Sequence, residues 1–183
     1  STGCTVTVSD GNGSSDSEDI TLTVNSVNDA VTLTSVGNQS TNEDTDLTIS
    51  VSSSDIDLEF YGETHSFTLT CDDASLVTTS CVSTGDNGNT ADCTFDVQDH
   101  QYGISNCTVS VSDGNGSSDS EDIKLTVFSI NDNPMLLPVG DQSTDEDEDL
   151  IMSVSATDVD IETNDQVLTC LLYTSPSPRD GLL

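Results

Sequence analysis

Positively charged side chains are almost absent from this sequence of 183 residues, in which two Lys and Arg residues stand against 34 Asp and Glu residues. The formal net charge at pH 7 is −32. Nucleic acids and anionic membrane surfaces would be repelled by such a charge, because both present phosphate groups. The charge therefore excludes these partners and favours cations.

Aromatic residues are also scarce, since the sequence has no Trp and aromatic residues make up only 4% of it. High charge with few aromatic residues can indicate disorder. Here, however, apolar residues alternate with Ser and Thr in short runs, which is typical of half-buried β-strands. No run of 18 apolar residues occurs, so the sequence predicts no membrane-spanning segment.

The six cysteines lack the spacing of a zinc site, because no CxxC pair occurs and no His lies nearby in ligand spacing. Disulfide bonds in an oxidising, extracellular compartment are the better interpretation. His65 and His100 are interpreted as isolated loop residues, and no Ser or Cys lies at a spacing that suggests a nucleophile and its base. We therefore expect no enzymatic activity.

An internal repeat dominates the sequence. CTVTVSDGNGSSDSEDITLTV at residues 4–24 returns as CTVSVSDGNGSSDSEDIKLTV at residues 107–127, with 19 of 21 positions identical and an offset of 103 residues. VGNQSTNEDTDL at residues 36–47 recurs as VGDQSTDEDEDL at residues 139–150. A period this long corresponds to a whole domain. The predicted domains are the end of a truncated repeat at 1–27, a complete repeat at 28–130 and the first part of a third repeat at 131–170.

The end of the sequence differs from the repeats. Residues 171–183 have no counterpart after Cys71 and contain the only Arg and two of the four Pro residues. We interpret this segment as a non-native tail and exclude it from the prediction of the fold.

Within the complete repeat, apolar residues occupy every second position in five runs, and weaker runs lie near Val31–Val36 and Leu76–Val82. Turn-forming clusters separate the runs, and no stretch has the 3.6-residue period of a helix. Seven short strands in about 100 residues predict an all-β fold, a tandem seven-stranded Greek-key β-sandwich. The residues predicted to face inward are Leu47, Ile49, Val51, Phe67, Leu69, Cys71, Phe95, Val97, Cys107, Val109, Val111, Ile123, Leu125 and Val127.

Acidic and amide residues cluster where one repeat passes into the next. The segments concerned are the linkers Asn28-Asp-Ala30 and Asn131-Asp-Asn-Pro134, the pairs Asp55-Ile-Asp57 and Asp158-Val-Asp160, and the turn at Asp113-Gly-Asn115. In this order the motifs resemble the cadherin superfamily, including the cadherin-like tandem repeats of large surface adhesins. The resemblance covers nearly all of the chain up to Cys170. It implies a cadherin-like or immunoglobulin-like sandwich.

In the cadherin superfamily, the interdomain linker and the loops beside it bind Ca²⁺, a hard cation that takes about six to eight oxygen ligands. Because the sequence departs from the family's pattern at some positions, we expect one or two ions at each junction. The implied ligands of the first junction are Asn28, Asp29, Asp55, Asp57 and Asp113. The implied ligands of the second junction are Glu43, Asn131, Asp132, Asn133, Asp158 and Asp160. The family's LDRE segment would correspond to Phe95-Asp-Val-Gln98, where Gln98 replaces the glutamate.

The complete repeat holds four cysteines, for which three pairings are possible. In an immunoglobulin-like strand order, the strands of Cys71 and Cys107 are neighbours, as are those of Cys81 and Cys93. This order slightly favours these two bridges over Cys71–Cys81 with Cys93–Cys107. Each bridge would stabilise a domain with few large side chains by roughly 2–4 kcal/mol.

Two functions fit the sequence. The first is a calcium-binding spacer or adhesion repeat of a large surface or secreted protein, with calcium ions and other cell-surface proteins or like repeats as partners. The alternative is a metal-independent bacterial immunoglobulin-like spacer, because Asp and Asn are ordinary turn formers and acidic surfaces favour solubility. Many carboxylates converging on one junction would repel each other without a counter-ion, which favours the calcium hypothesis.

Overall fold

The computed structural model describes residues 1–58, 62–161 and 167–173. Within these residues the chain forms twelve β-strands and one short 3₁₀ turn, Asp86–Gly88. The strands are β1 (Thr2–Ser9), β2 (Ser15–Leu22), β3 (Thr32–Leu33), β4 (Gln39–Asn42), β5 (Leu47–Ser54), β6 (Ser66–Cys71), β7 (Val77–Ser83), β8 (Thr90–Val97), β9 (Gly103–Ser112), β10 (Ser118–Phe128), β11 (Met135–Leu136) and β12 (Ala156–Thr157). In this described part of the chain, no helix has the length and apolar character needed to cross a membrane.

Strands β3 to β10 form a β-sandwich of two four-stranded sheets, with the strand orders β3-β5-β8-β7 and β4-β10-β9-β6. The predicted all-β sandwich is therefore confirmed. Successive side chains of a strand point to opposite faces, so the alternating apolar residues meet between the two sheets. Leu47 and Ile49 pack against this core and are only partly buried. The most deeply buried core residues are Val51, Val77, Ala91, Cys93, Phe95, Cys107, Val109, Val111 and Leu125.

The strand predicted near Val31–Val36 is observed as β3, and an additional strand, β4, follows it in the other sheet. β3 pairs with β5, and beyond a turn at Gly37, β4 pairs with β10 in the parallel direction. Gly37 has a φ of 71°, a conformation that glycine adopts without the steric cost of a Cβ atom. The sandwich therefore contains eight strands where the sequence predicted seven.

Side chains just before and at the start of β10 accept hydrogen bonds from the backbone around β3. The backbone N–H of Val31 donates to Ser117 Oγ at 3.1 Å, and that of Leu33 donates to Asp119 Oδ2 at 2.8 Å. Two positions further along β10, the carboxylate of Glu121 accepts from the backbone of the crossover turn. These side-chain bonds replace backbone pairing for the residues around β3. Backbone pairing with β10 begins only at β4.

Both disulfide bonds join residues that lie opposite each other on neighbouring antiparallel strands. Cys71 on β6 is bonded to Cys107 on β9, and Cys81 on β7 is bonded to Cys93 on β8. Each bridge therefore lies within one sheet. The alternative bridges, Cys71–Cys81 and Cys93–Cys107, would have to connect the two sheets.

The residues before the sandwich repeat part of its pairing pattern. β1 and β2 pair in the register of β9 and β10, since Cys4 lies opposite Ile20 as Cys107 lies opposite Ile123. The first hairpin does not bury its apolar residues in the same way. Leu22, for example, is 53% exposed, whereas its counterpart Leu125 is 0% exposed.

The residues after the sandwich also repeat its pairing. β11 pairs with β12 in the register of β3 and β5, with an offset of 103 residues. Residues 151–155 do not form a strand, because no described residue supplies the neighbour that β8 supplies to β5. Most of the predicted tail, residues 174–183, lies outside the described residues.

Candidate metal centre

The linker residues Asn28 and Asp29 lie against two loops at one end of the sandwich. Asn28 Nδ2 donates to Asp113 Oδ2 at 2.9 Å, and the backbone N–H of Asp29 donates to Asp57 Oδ2 at 2.7 Å. The backbone N–H of Asp57 in turn donates to Asp55 Oδ1 at 2.8 Å. These bonds and the peptide between Asn28 and Asp29 connect all five residues predicted for the first junction.

Asp113 follows β9 and is only 2% exposed. Its Oδ1 accepts the backbone N–H groups of Asn115, Gly116 and Ser117 at 2.8, 3.1 and 3.0 Å. The side-chain bond from Asn28, together with these backbone bonds, lowers the pKa of Asp113 below its ordinary value despite the opposing effect of burial. Asp113 is therefore an anion at neutral pH, and it is held rigidly beside the linker.

The second junction repeats the bonds that connect the linker Asp to the Asp-x-Asp pair at the first. The backbone N–H of Asp132 donates to Asp160 Oδ2 at 2.6 Å, and the backbone N–H of Asp160 donates to Asp158 Oδ1 at 2.9 Å. Asn131 Nδ2 donates to the carbonyl oxygen of Asp132 at 2.6 Å. The same local sequence, Asn-Asp followed by Asp-x-Asp, therefore folds in the same way at both places.

The other two residues predicted for the second junction are placed differently. Glu43 is 3% exposed, its backbone N–H donates to the carbonyl oxygen of Phe128, and its Oε1 accepts from the backbone N–H of Ile130 at 2.5 Å. Glu43 thus holds the chain just before the linker. Asn133 is exposed, and no hydrogen bond within the described residues ties it to the other predicted ligands.

In the loop after β8, the residue that contacts the linker is His100 and not Gln98. The side-chain amide of Gln98 donates to the carbonyl oxygen of Asp96. His100 Nδ1 lies 3.1 Å from Asp132 Oδ2 and 3.5 Å from Asp44 Oδ2. Burial lowers the pKa of His100, but the neighbouring carboxylates of Asp44 and Asp132 outweigh it, so the pKa is raised above its ordinary value.

The prediction that the two histidines are isolated is wrong. Each lies beside two carboxylates, and in each group one donor atom of every residue lies within 4.8 Å of the others. The carboxylates beside His100 lie 56 and 32 residues away in sequence, so spacing could not identify that group. One local signal was present, because Glu63 and His65 are two residues apart and such residues share a side of an extended chain. The groups are Asp55–Glu63–His65 and Asp44–His100–Asp132.

The donors at both junctions are of the types that Ca²⁺ takes. They are carboxylate, amide and backbone oxygens, and Ca²⁺ prefers oxygen ligands. Asp57, Asp113 and Asp160 are almost completely buried, and buried carboxylates require hydrogen bonds or a counter-charge. With a net charge of −32, the chain itself offers few cations to supply that charge. The residues present therefore fit a calcium ion.

Comparisons with known proteins identify similar folds among solved structures. No protein-family model matches the sequence, and no curated protein matches it. The EC3-6 cis-dimer structure of protocadherin gammaB7 is 20% identical, with a TM-score of 0.52, and the match covers 86% of this chain and 40% of that chain. Domains 4 and 5 of the S-layer protein SbsC are 18% identical, with a TM-score of 0.41 and coverage of 69% and 58%.

An endo-fucoidan hydrolase, MfFcnA4 from glycoside hydrolase family 107, is 17% identical, with a TM-score of 0.40 and coverage of 67% and 19%. This chain thus spans 58% of the SbsC fragment and smaller parts of the other two proteins. The protocadherin likeness, at 20% identity, shows the fold alone, a β-sandwich. The SbsC and MfFcnA4 likenesses are too weak to support an argument.

Proposed function

We propose that this chain is a calcium-binding repeat of an extracellular surface or secreted protein. Each sandwich serves as a spacer or adhesion module, and Ca²⁺ ions stiffen the junctions between successive repeats. The observation that carries the proposal is the duplicated arrangement in which the backbone of the linker Asp bonds to the second carboxylate of an Asp-x-Asp pair. Two copies of one arrangement, each where two repeats meet, favour a common ligand.

Electrostatics support the same ligand. At the first junction, Asp55, Asp57 and Asp113 come together beside Asp29, while Asn28 supplies an amide. These carboxylates repel one another, which tends to push the linker away from the loops. A divalent cation bound by several of them would replace this repulsion with attraction. Bound ions would therefore convert a flexible connection into a rigid one.

We assign residues 1–27, 28–130 and 131–170 to three successive repeats and 171–183 to a non-native tail. The shared registers of β1–β2 with β9–β10, and of β11–β12 with β3–β5, support this division. The proposed role is structural and not enzymatic. Its partners are calcium ions and other cell-surface proteins or like repeats, in an extracellular or cell-surface location.

One observation favours a second candidate, a metal-independent immunoglobulin-like spacer. The backbone N–H groups of Asp29 and Asp132 donate directly to Asp57 and Asp160, so protein hydrogen bonds already hold each linker to its Asp-x-Asp pair. In this case the acidic residues would serve as turn formers and keep the protein soluble.

Thermal unfolding of the full chain with both disulfides formed separates the two candidates. The midpoint is compared in millimolar Ca²⁺ and in chelator with Mg²⁺ at matched ionic strength. Ligand linkage predicts a stabilisation of about 2.7 kcal/mol when free Ca²⁺ exceeds its dissociation constant 100-fold. A midpoint that does not respond to Ca²⁺ would favour the metal-independent spacer.

A matched pair of variants tests whether the junction is the binding site. Asp10 and Asp113 occupy identical DGNGS turns, and Asp10 Oδ1 likewise accepts backbone N–H groups of its turn. Only Asp113 accepts from the linker residue Asn28. We expect Asp113→Asn to reduce the calcium-dependent shift and Asp10→Asn to preserve it. Equal shifts in both variants would remove Asp113 from the site.

A further inference from the structure

Asp55, Glu63 and His65, which lie between β5 and β6 in the sequence, form a compact group of donors. Asp55 follows β5 directly, whereas Glu63 and His65 lie in the extended segment that leads into β6. One carboxylate oxygen of each acid and one ring nitrogen of the histidine lie within 4.8 Å of one another. Glu63 is 7% exposed and His65 is 3% exposed, so the group is shielded from solvent.

Each side chain in this group has one atom anchored and one atom free. Asp55 Oδ1 accepts the backbone N–H of Asp57, Glu63 Oε1 accepts from Asn115 Nδ2, and His65 Nδ1 lies 2.7 Å from Ser53 Oγ. The remaining atoms, Asp55 Oδ2, Glu63 Oε2 and His65 Nε2, are buried and have no hydrogen-bond partner among the described residues. Buried polar atoms are nearly always paired, so three unpaired atoms in one group indicate a missing ligand.

The backbone around His65 is held as firmly as its side chain. Its backbone N–H donates to the carbonyl oxygen of Asn87 at 2.9 Å. Gly88 packs so closely against His65 that a Cβ atom at Gly88 would lie 2.2 Å from the histidine carbonyl oxygen. The 3₁₀ turn Asp86–Gly88 thus contacts the backbone of His65 and fixes the position of its side chain, as the residues that surround a metal ligand commonly do.

We propose that Asp55, Glu63 and His65 form a site for a divalent transition-metal ion, with Zn²⁺ as the expected occupant. Imidazole is a ligand of Zn²⁺ and related ions, whereas Ca²⁺ takes oxygen donors. Ligation through Nε2 requires the proton on Nδ1, where Ser53 Oγ accepts it. Two carboxylates offset the charge of the ion, and three protein ligands leave a fourth position open.

The site goes beyond the calcium function proposed above and shares only Asp55 with it. It is also specific to the complete repeat. The third repeat retains Asp158, the counterpart of Asp55, but has no histidine in IETNDQVLT between Asp160 and Cys170. Because the donors Glu63 and His65 are not part of the repeated pattern, they are the residues to change in a test.

The test is a Zn²⁺ titration of the metal-free full chain with both disulfides formed and with Cys4 and Cys170 alkylated, since free thiolates bind zinc. A calorimetric titration in excess Ca²⁺ is compared with one without Ca²⁺. We expect one Zn²⁺ ion per chain in both, and visible absorption of bound Co²⁺ that reports nitrogen and oxygen ligands. Failure of the wild-type chain to bind Zn²⁺ overturns the proposal. The titration without Ca²⁺ keeps this result independent of the calcium function.

Matched variants locate the ion. His65→Asn and Glu63→Gln are expected to weaken Zn²⁺ binding more than about 100-fold, and Ser53→Ala about 10-fold, because loss of an outer-shell partner costs about 10- to 100-fold. Glu63→Gln keeps an oxygen that accepts from Asn115, so its fold is preserved. His100→Asn is expected to leave binding unchanged. Loss of Zn²⁺ binding in His100→Asn, or its retention in Glu63→Gln, overturns the assignment.

A direct observation does not depend on any variant. In ¹⁵N-histidine NMR spectra of the wild-type chain, Zn²⁺ is expected to shift Nε2 of His65 and to leave the resonances of His100 in place. Shifts confined to His100 would place the ion in the exposed Asp44–His100–Asp132 group and overturn the proposal.

Discussion

The backbone N–H of Asp29 donates to Oδ2 of Asp57 at 2.7 Å, and this bond connects the linker to the loop that follows β5. Asp57 is 3% exposed, so water cannot easily replace either partner. The position of the linker therefore depends on the buried carboxylate of Asp57, together with that of Asp113, which accepts from Asn28.

Replacement of Asp57 tests this dependence. We expect Asp57→Ala to lower the free energy of unfolding by about 1.5–3 kcal/mol, the usual contribution of a hydrogen bond to a charged group. Asp57→Asn retains an acceptor oxygen and should lose less. Urea unfolding in chelator measures both variants without a contribution from calcium. Equal losses in the two variants would show that charge, and not the bond to Asp29, is the stabilising feature.

Glu121 gives the stability a defined pH dependence. Its carboxylate accepts the backbone N–H groups of Val36 at 2.6 Å and Gly37 at 3.0 Å, and these bonds lower the pKa of Glu121 below its ordinary value. A lowered folded-state pKa stabilises the fold above the unfolded-state value, and this stabilisation is lost as the pH falls through the folded-state value. We expect Glu121→Gln to be less stable than wild type at pH 7, with the difference shrinking below about pH 4.5.

Glu18 supplies the control for this experiment, because it is the counterpart of Glu121 in the first hairpin and makes none of these turn contacts among the described residues. Glu18→Gln should leave both the stability at pH 7 and its pH dependence close to wild type. Chemical denaturation at a series of pH values measures both variants. A difference in stability between Glu121→Gln and wild type that does not shrink at low pH would show that the charge of Glu121 is not its cause.

The two disulfides should contribute unequally. The bridge Cys71–Cys107 closes a segment with a sequence separation of 36 residues, and Cys81–Cys93 closes one of 12. Loop-closure entropy predicts losses of about 4 and 3 kcal/mol when each pair is replaced by Ala. Urea unfolding of Cys71→Ala/Cys107→Ala and of Cys81→Ala/Cys93→Ala checks the order. A larger loss in the shorter loop would indicate that packing, not chain entropy, dominates.

The two repeats place identical residues in different surroundings, so the effect of burial on stability can be compared at positions with the same local sequence. Leu125 and Leu22 occupy equivalent positions, but Leu125 is 0% exposed and Leu22 is 53% exposed. We expect Leu125→Ala to cost about 2–5 kcal/mol through lost burial and a residual cavity, and Leu22→Ala to stay within about 0.5 kcal/mol. Denaturant unfolding measures both. A large effect of Leu22→Ala would mean that the first hairpin is packed against other residues in solution.

Much of the sandwich could be predicted from the sequence. The alternation of apolar and polar residues identified the strands around Phe67, Phe95, Val109 and Leu125, because one face of each strand must be buried. The additional strand β4 was not predicted. Its position depends on the positive φ of Gly37 and on Glu121 of β10, which lies far away in sequence.

The junction motifs were visible for a similar reason. The linker and the Asp-x-Asp pair are contiguous segments that return after 103 residues, so the repeat itself drew attention to them. Asn133 was assigned to the junction by resemblance, and no hydrogen bond among the described residues joins it to the other predicted ligands. Gln98, which replaces the glutamate of the family's LDRE segment, bonds to the carbonyl oxygen of Asp96 instead. His100 reaches the linker because the loop after β8 folds back toward Asp132.

By itself, the sequence determined the all-β class, the repeat period and the acidic junctions, since these follow from local alternation, self-similarity and charge. Only the tertiary structure decided which residues meet across the sandwich. It paired Cys71 with Cys107 through the order of the strands, and it placed Asp55 against Glu63 and His65 through the loop that joins two sheets. Such contacts depend on how strands and loops pack in three dimensions, and the spacing of residues along the chain does not reveal this packing.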